Sequence, residues 1–241
     1  MDYSAHYARF HPETTEHDSS LKAILEKWLL PHLPTDRSMA VLDVGCGRGY
    51  AMRFLSELGY SDVSGIDIDA GQVAFALDRG LKSELVPDSA EYLSNRPATY
   101  GLVLLMDVLE HLDAPTRADL LTAIYNSLRP GGILICTVPN AASPVASYMR
   151  YVDYSHQTLF TVESLGFALS QSGFHVGHIG GAEFFYRPRF LFFLPSRRTC
   201  QWLLLKMARS CWRIYYVAEL GFARGKNILI SPNIIAVSSR Q

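Results

Sequence analysis

The chain has 241 residues, 49% of them hydrophobic, and a formal net charge of −1. That is enough apolar material for one large α/β core, and it excludes a globally disordered chain. The charge is unevenly placed: residues 1–182 carry 12 Lys and Arg against 21 Asp and Glu, whereas residues 183–229 carry 9 against 2, so the second segment is expected to face something anionic.

In chain order, residues 19–30 place apolar side chains at helical spacing and stop at Pro31. Residues 39–44 (MAVLDV) are a continuous apolar run, as in a strand buried on both faces of a parallel sheet. A glycine-rich turn, Gly45–Gly49, leads into a helix over 50–58 that Gly59 ends. A second strand over 62–68 and a second helix over 71–79 follow, and a short strand over 84–86 leads to Pro87–Asp88. Strands over 101–106 and 133–138 flank a helix over 116–128 that ends in the turn Arg129-Pro130-Gly131-Gly132. A helix near 161–172, a strand near 174–180 and a final strand over 233–238 complete the chain. The regular alternation predicts a parallel sheet with right-handed crossovers. Thr161 or Ser164 is expected to cap the helix near 161, with Glu163 in its first turn.

The strongest local signal is Val41-Leu42-Asp43-Val44-Gly45-Cys46-Gly47-Arg48-Gly49. Glycines between strand and helix let the backbone approach a ligand and tolerate positive φ. The spacing is Gly-x-Gly-x-Gly, not the Gly-x-Gly-x-x-Gly of a dinucleotide fingerprint, and the acid two residues earlier suits a cationic ligand better than a diphosphate. Asp67 ends the second strand, 22 residues after Gly45, where a carboxylate can accept both hydroxyls of a ribose. Asp88-Ser89 follows the third strand, where an acid can take an adenine amino group.

VLDVGCGRG resembles motif I of the class I S-adenosylmethionine-dependent methyltransferases. GIDID resembles their second acidic motif, DVLEHLDAP the segment after strand four, and SLRPGGILICTVPN the run into strand five, in order and spacing over residues 39–140. The resemblance implies a Rossmann-like α/β fold. It has a seven-stranded, mostly parallel sheet, helices on both faces, and an antiparallel last strand between strands five and six. It implies that Asp43, Gly45 and Gly47 hold the methionine end, Asp67 the ribose and Asp88 the adenine. The cofactor-binding set it marks out is Asp43, Gly45, Cys46, Gly47, Gly49, Asp67, Ile68, Asp88, Ser89, Met106 and Asp107. Cys46 needs no redox role.

Methyl transfer from a sulfonium is an in-line displacement, so a protein mainly orients the pair and excludes water. An alcohol acceptor also gains from a general base, by about 10²–10⁴-fold. The candidates are His111, directly after strand four, and His156 with Asp153, in YVDYSHQTLFTVESL after strand five. That segment resembles an Asp-x-x-His…Phe-Thr-x-x-Ser-Leu pattern in methyltransferases of bacterial cell-surface polysaccharide synthesis. A cation held by Glu110, His111, Asp153 and His156 is conceivable, but there is no compact ligand motif at fixed spacing, and no metal is expected.

The chain thus divides into an N-terminal helical segment (1–38), a cofactor-binding core (39–182), an insertion (183–229) and a last core strand (230–241). In the fold that the resemblance implies, the insertion overhangs the acceptor pocket. It interleaves aromatic residues with Arg, and a helix over 198–217 repeats Trp202, Leu205, Arg209, Trp212 and Tyr216 at one face. It reads as a lid helix, or as a surface for an anionic membrane or a polyprenyl-diphosphate-linked glycan. Nucleic acid is not expected, since no RNA-binding module is present. The cysteines Cys46, Cys136, Cys200 and Cys211 form no CxxC pair, as expected of free thiols. The chain shows no leader pattern and no run of the roughly 18 apolar residues that would span a bilayer. A cytoplasmic protein, at most peripheral at the inner face of the membrane, is expected.

The leading expectation is O-methylation of a sugar or glycolipid in cell-envelope polysaccharide synthesis. The alternatives are a small-molecule methyltransferase of quinone or secondary metabolism, acting on oxygen or nitrogen, and a non-catalytic cofactor-binding scaffold.

Overall fold

The computed structural model describes residues 14–183, 190–191 and 194–241. The elements alternate as the sequence predicts. They run α1 (Thr15–Leu29), β1 (Ala40–Val44), α2 (Tyr50–Glu57), β2 (Asp62–Asp67), α3 (Ala70–Asp78), β3 (Ser83–Leu85), α4 (Ser89–Ser94) and β4 (Tyr100–Met106). A 3-10 turn (Leu109–His111) then precedes α5 (Ala114–Ser127), β5 (Leu128–Pro139), α6 (Ala146–Val152), α7 (Val162–Gln171) and β6 (His175–Ala182). Two short strands, β7 (Phe190–Leu191) and β8 (Leu194–Pro195), pair antiparallel before α8 (Arg197–Leu220), α9 (Phe222–Gly225) and β9 (Asn233–Ser239).

Seven strands form one sheet in the order β3-β2-β1-β4-β5-β9-β6. β1 to β5 pair in parallel, and β9 runs antiparallel between β5 and β6. Alternate residues of the central strands feed two cores. Leu102 and Leu104 of β4 pack with Trp28, Phe54 and Leu55 of α1 and α2 on one face. Val103 and Leu105 pack with Leu121, Ile124, Leu165 and Leu169 of α5 and α7 on the other. Because both faces are covered, the strands read as continuous apolar runs. The two histidine-bearing segments and the glycine turn all follow the C-terminal ends of parallel strands, the edge where ligands bind in such sheets.

Two details differ from the sequence reading. Arg129-Pro130-Gly131-Gly132 does not separate helix from strand but lies inside β5, where the register against β4 jumps between Tyr100 and Leu102. Gly131 takes φ +76 there, and the extra residues loop out as an irregular bulge. The short helices α4 and α6 are additional elements. Among the described residues, no helix is long and apolar enough to cross a membrane.

Candidate active site

The glycine turn is built by positive φ at Gly45 (+73), Gly47 (+50) and Gly49 (+75). At Gly45 a Cβ would stand 2.5 Å from Val108 Cγ2, so the turn packs directly on the link after β4. The Gly45 and Cys46 amides donate to the Ile66 carbonyl, at 2.8 and 3.0 Å. The Gly47 amide donates to Asp67 Oδ2 at 2.8 Å, and the Asp69 amide to Asp67 Oδ1 at 2.9 Å. The Asp67 carboxylate is therefore held over the turn; burial raises its pKa, and these amide bonds partly offset the rise. Ile68 beside it is 73% exposed, an apolar surface at the mouth.

Asp43 is buried at 2% exposure, and its Oδ1 has no hydrogen-bond partner. Burial, then the charge of Asp67, pushes its pKa up to about 7. A buried acid without a partner is costly unless a cationic ligand compensates it. The Cys46 thiol is pushed up to about 12, chiefly by burial, which leaves it inert. Asp88 caps α4, its Oδ1 accepting from the Ala90 and Glu91 amides at 2.9 and 3.0 Å, with Ser89 as the first residue of the helix. Capping is thus one established role of this acid.

After β4, Met106 is half-buried and Asp107 adopts φ +54, a left-handed conformation that Asp tolerates better than most residues. Thr137 of β5 holds it in place: its hydroxyl donates to Asp107 Oδ1 at 2.9 Å, and its carbonyl accepts from the Asp107 amide at 3.1 Å. Glu110 is fully buried, with neither carboxylate oxygen partnered. Burial, reinforced by Asp107 and Asp153, pushes its pKa well above the ordinary value. Its carbonyl accepts from the Gln157 and Thr158 amides, at 2.7 and 3.3 Å, tying this turn to the loop after α6.

That tie brings the sequence-predicted catalytic residues together. The rings of His111 and His156 meet edge-on with centroids 4.7 Å apart. His156 Nδ1 lies 2.7 Å from the Met149 carbonyl, which can only accept, so Nδ1 carries the proton and Nε2 is the basic nitrogen. The Ser155 hydroxyl donates to Asp153 Oδ1 at 2.5 Å, and His111 Nδ1 lies 2.8 Å from the same Ser155 oxygen. Ser155 has one proton and gives it to Asp153, so it accepts from His111 Nδ1–H, and Nε2 is the basic nitrogen there too. Burial opposes the charge on Asp153, but the Ser155 hydroxyl and amide, with both histidines nearby, hold its pKa below the usual range. Ser155, Thr137 and the Met149 carbonyl are contributors that the sequence did not single out. Their roles depend on partners far along the chain.

Glu110, His111 and His156 also each bring one ligand atom within 4.8 Å of the other two. Two imidazoles and a carboxylate are a donor set that can hold a divalent transition metal.

The sequence matches the methyltransferase domain family over residues 16–179. The chain belongs to this family. Its cofactor is S-adenosylmethionine, and the residues fit that group: a buried acid with an unpartnered oxygen beside the turn, a turn of three positive-φ glycines, and an acid at the end of β2. Among curated relatives, the methyltransferase is 31% identical over 124 residues to a ubiquinone biosynthesis O-methyltransferase of Roseobacter denitrificans, covering 50% of this chain and 48% of that protein. It is 36% identical over 96 residues to the Burkholderia multivorans protein of the same name, covering 38% and 40%. It is 33% identical over 145 residues to phosphoethanolamine N-methyltransferase 3 of Arabidopsis thaliana, covering 56% and 28%. The matched segment thus spans half or less of those relatives. The fold is shared with an S-adenosylmethionine-dependent methyltransferase of Archaeoglobus fulgidus, at TM-score 0.69 and 22% identity, covering 99% of this chain and all of that one. It is also shared with one from Mesorhizobium loti, at TM-score 0.59 and 18% identity, covering 92% and 100%.

Proposed function

We propose that this methyltransferase transfers a methyl group to a hydroxyl of a small acceptor, with His111 as the base. The observation that carries the reading is the chain Asp153–Ser155–His111, with the His156 ring edge-on to His111. S-adenosylmethionine supplies the electrophilic methyl when bound. Asp43 and the glycine turn take its charged methionine end. Asp67 takes the ribose hydroxyls, Ile68 and Met106 flank the base, and Asp88 with Ser89 lies where the adenine amino group is read. Asp107, braced by Thr137, lines the space between cofactor and acceptor. His111 Nε2 takes the hydroxyl proton as the oxygen attacks, and the negative charge of Asp153, reached through Ser155, stabilises the imidazolium. His156 packs edge-on against His111 and limits its rotation.

The named relatives favour a phenolic hydroxyl of a quinol-like molecule. A sugar hydroxyl on a lipid-linked glycan, as in polysaccharide synthesis, rests on the Asp153-x-x-His156…Phe160-Thr161-x-x-Ser164-Leu165 pattern alone. In that pattern Thr161 and Ser164 form a reciprocal capping box at the start of α7, a role that needs no acceptor. The test is transfer from methyl-labelled cofactor to a polyprenyl-substituted catechol and to a polyprenyl-diphosphate-linked saccharide. Label in the catechol supports the phenolic reading. Label in the saccharide alone replaces it, and label in neither, with cofactor bound, favours the scaffold alternative.

A further inference from the structure

The basic, aromatic segment before β9 does not face outward as its composition suggests. Arg209 ion-pairs with Glu183 at 2.6 Å, and Arg213 donates to the carbonyls of Gly225 and Ile228. The Tyr216 hydroxyl donates to the Ala142 carbonyl at 3.0 Å. These residues, with Trp202 and Leu205, are the half-buried side of α8. Beside its exposed polar residues, α8 presents large apolar side chains to solvent: Leu204 is 64% exposed, Met207 65%, Ile214 68%, Tyr215 52% and, just beyond, Phe222 70%. Leu204, Met207, the exposed Cys211, Ile214 with Tyr215, and the exposed Ala218 follow one another at steps of three and four residues on one face of α8. From Leu204 to Ala218 that row is about 21 Å long at 1.5 Å per residue. A continuous apolar row of this length on a surface helix marks a contact face.

Charge indicates what covers it. Residues 184–241 contain ten Lys and Arg and one acid, Glu219. Exposed cations stand at both ends of the row, Arg197 at the start of α8 and Arg224 and Lys226 after it. A second copy of the chain would set these cations against each other. An anionic lipid interface supplies acyl depth for the row and headgroup charge for its ends. A cavity of about 540 Å³ lies on the other, half-buried side of α8, between Tyr216, Asn140 after β5, and the capped start of α7.

We propose that the outward face of α8 docks on an anionic lipid surface. Docking does not rest on the identity of the proposed acceptor. The test is co-sedimentation of the full chain, without acceptor, on vesicles of phosphatidylcholine with about one-third phosphatidylglycerol and on phosphatidylcholine alone. Wild type should partition onto the anionic vesicles at least about tenfold better than onto the neutral ones. The variant Leu204→Gln/Met207→Gln/Ile214→Gln should lose about tenfold or more of that partition. Glutamine keeps helix propensity, and unchanged S-adenosylhomocysteine affinity shows that the variant is folded. Wild type left in the supernatant, or a triple variant that pellets like wild type, overturns the proposal. So does a solution dimer that the triple variant dissociates, which would assign the face to a second copy. Because lipid binding is read without methyl transfer, its failure and that of the proposed reaction are separable.

Discussion

The Gly47 amide donates to Asp67 Oδ2, so the acid at the end of β2 is aimed at the middle of the glycine turn and not at solvent. Asp67→Ala removes a charged acceptor from both the turn and the ribose position. S-adenosylhomocysteine affinity should fall about ten- to hundredfold, or roughly 1.5–3 kcal/mol. Gly47→Arg fills the backbone approach at a positive-φ position and should abolish binding. Calorimetry on both variants is the check, and affinity unchanged in both would contradict the site.

Asp43 gives this site a pH dependence. Its pKa is pushed up to about 7 without ligand, so below that pH the folded protein holds a proton there. A cationic cofactor prefers the carboxylate, and binding must first expel the proton. Affinity for S-adenosylmethionine should therefore be flat above about pH 7 and weaken by up to about tenfold per pH unit below it. In Asp43→Asn the slope should vanish and affinity should be low throughout. Titrations in buffers of different ionisation enthalpy should detect proton release at about pH 6 in wild type alone.

Parts of this were legible in the sequence for physical reasons. β4 and residues 133–136 of β5 are apolar without a break because helices cover both faces, β1 is broken only by Asp43, and Asp67 stands out at the C-terminal end of β2. The helices α4 and α6, of six and seven residues, are too short to show a period. Ser155 was invisible because its partner His111 is 44 residues away. The sequence grouped Trp202, Leu205, Arg209 and Tyr216 on one face of α8, but it did not show that Arg209 and Arg213 turn inward, because Glu183 and the carbonyls of Gly225 and Ile228 that hold them are distant or backbone partners.

The proposed base makes a graded kinetic prediction. His111→Asn should lower kcat by about 10²-fold or more, since no other group inherits the Asp153–Ser155 support. Ser155→Ala leaves the imidazole but cuts its link to Asp153, and should cost about tenfold. S-adenosylhomocysteine affinity should change by no more than a few-fold in either, because neither residue touches the glycine turn. Single-turnover rates with labelled cofactor measure this. A His111→Asn rate within a few-fold of wild type would leave positioning alone as the source of rate.

Glu110 is the least comfortable residue in the fold, and its cost should be measurable. It is fully buried, and its carboxylate makes no hydrogen bond. Its raised pKa means that the folded protein keeps a proton which the unfolded chain releases above the ordinary value of 4.5. The sign follows: stability is greatest below that pH and is lost as pH rises towards the folded value. Glu110→Gln keeps the shape and removes the charge. With a chelator present, so that no cation neutralises the acid, the variant should match wild type near pH 4.5 and exceed it by about 1–3 kcal/mol near pH 8. Methyl transfer should change little in the same variant wherever Glu110 is protonated, because Gln replaces an acid that already carries no charge. Thermal melts at the two pH values, with activity alongside, test both halves. A variant destabilised at both pH values would mean that the carboxylate has a partner in solution, and the uncompensated charge would have to be abandoned.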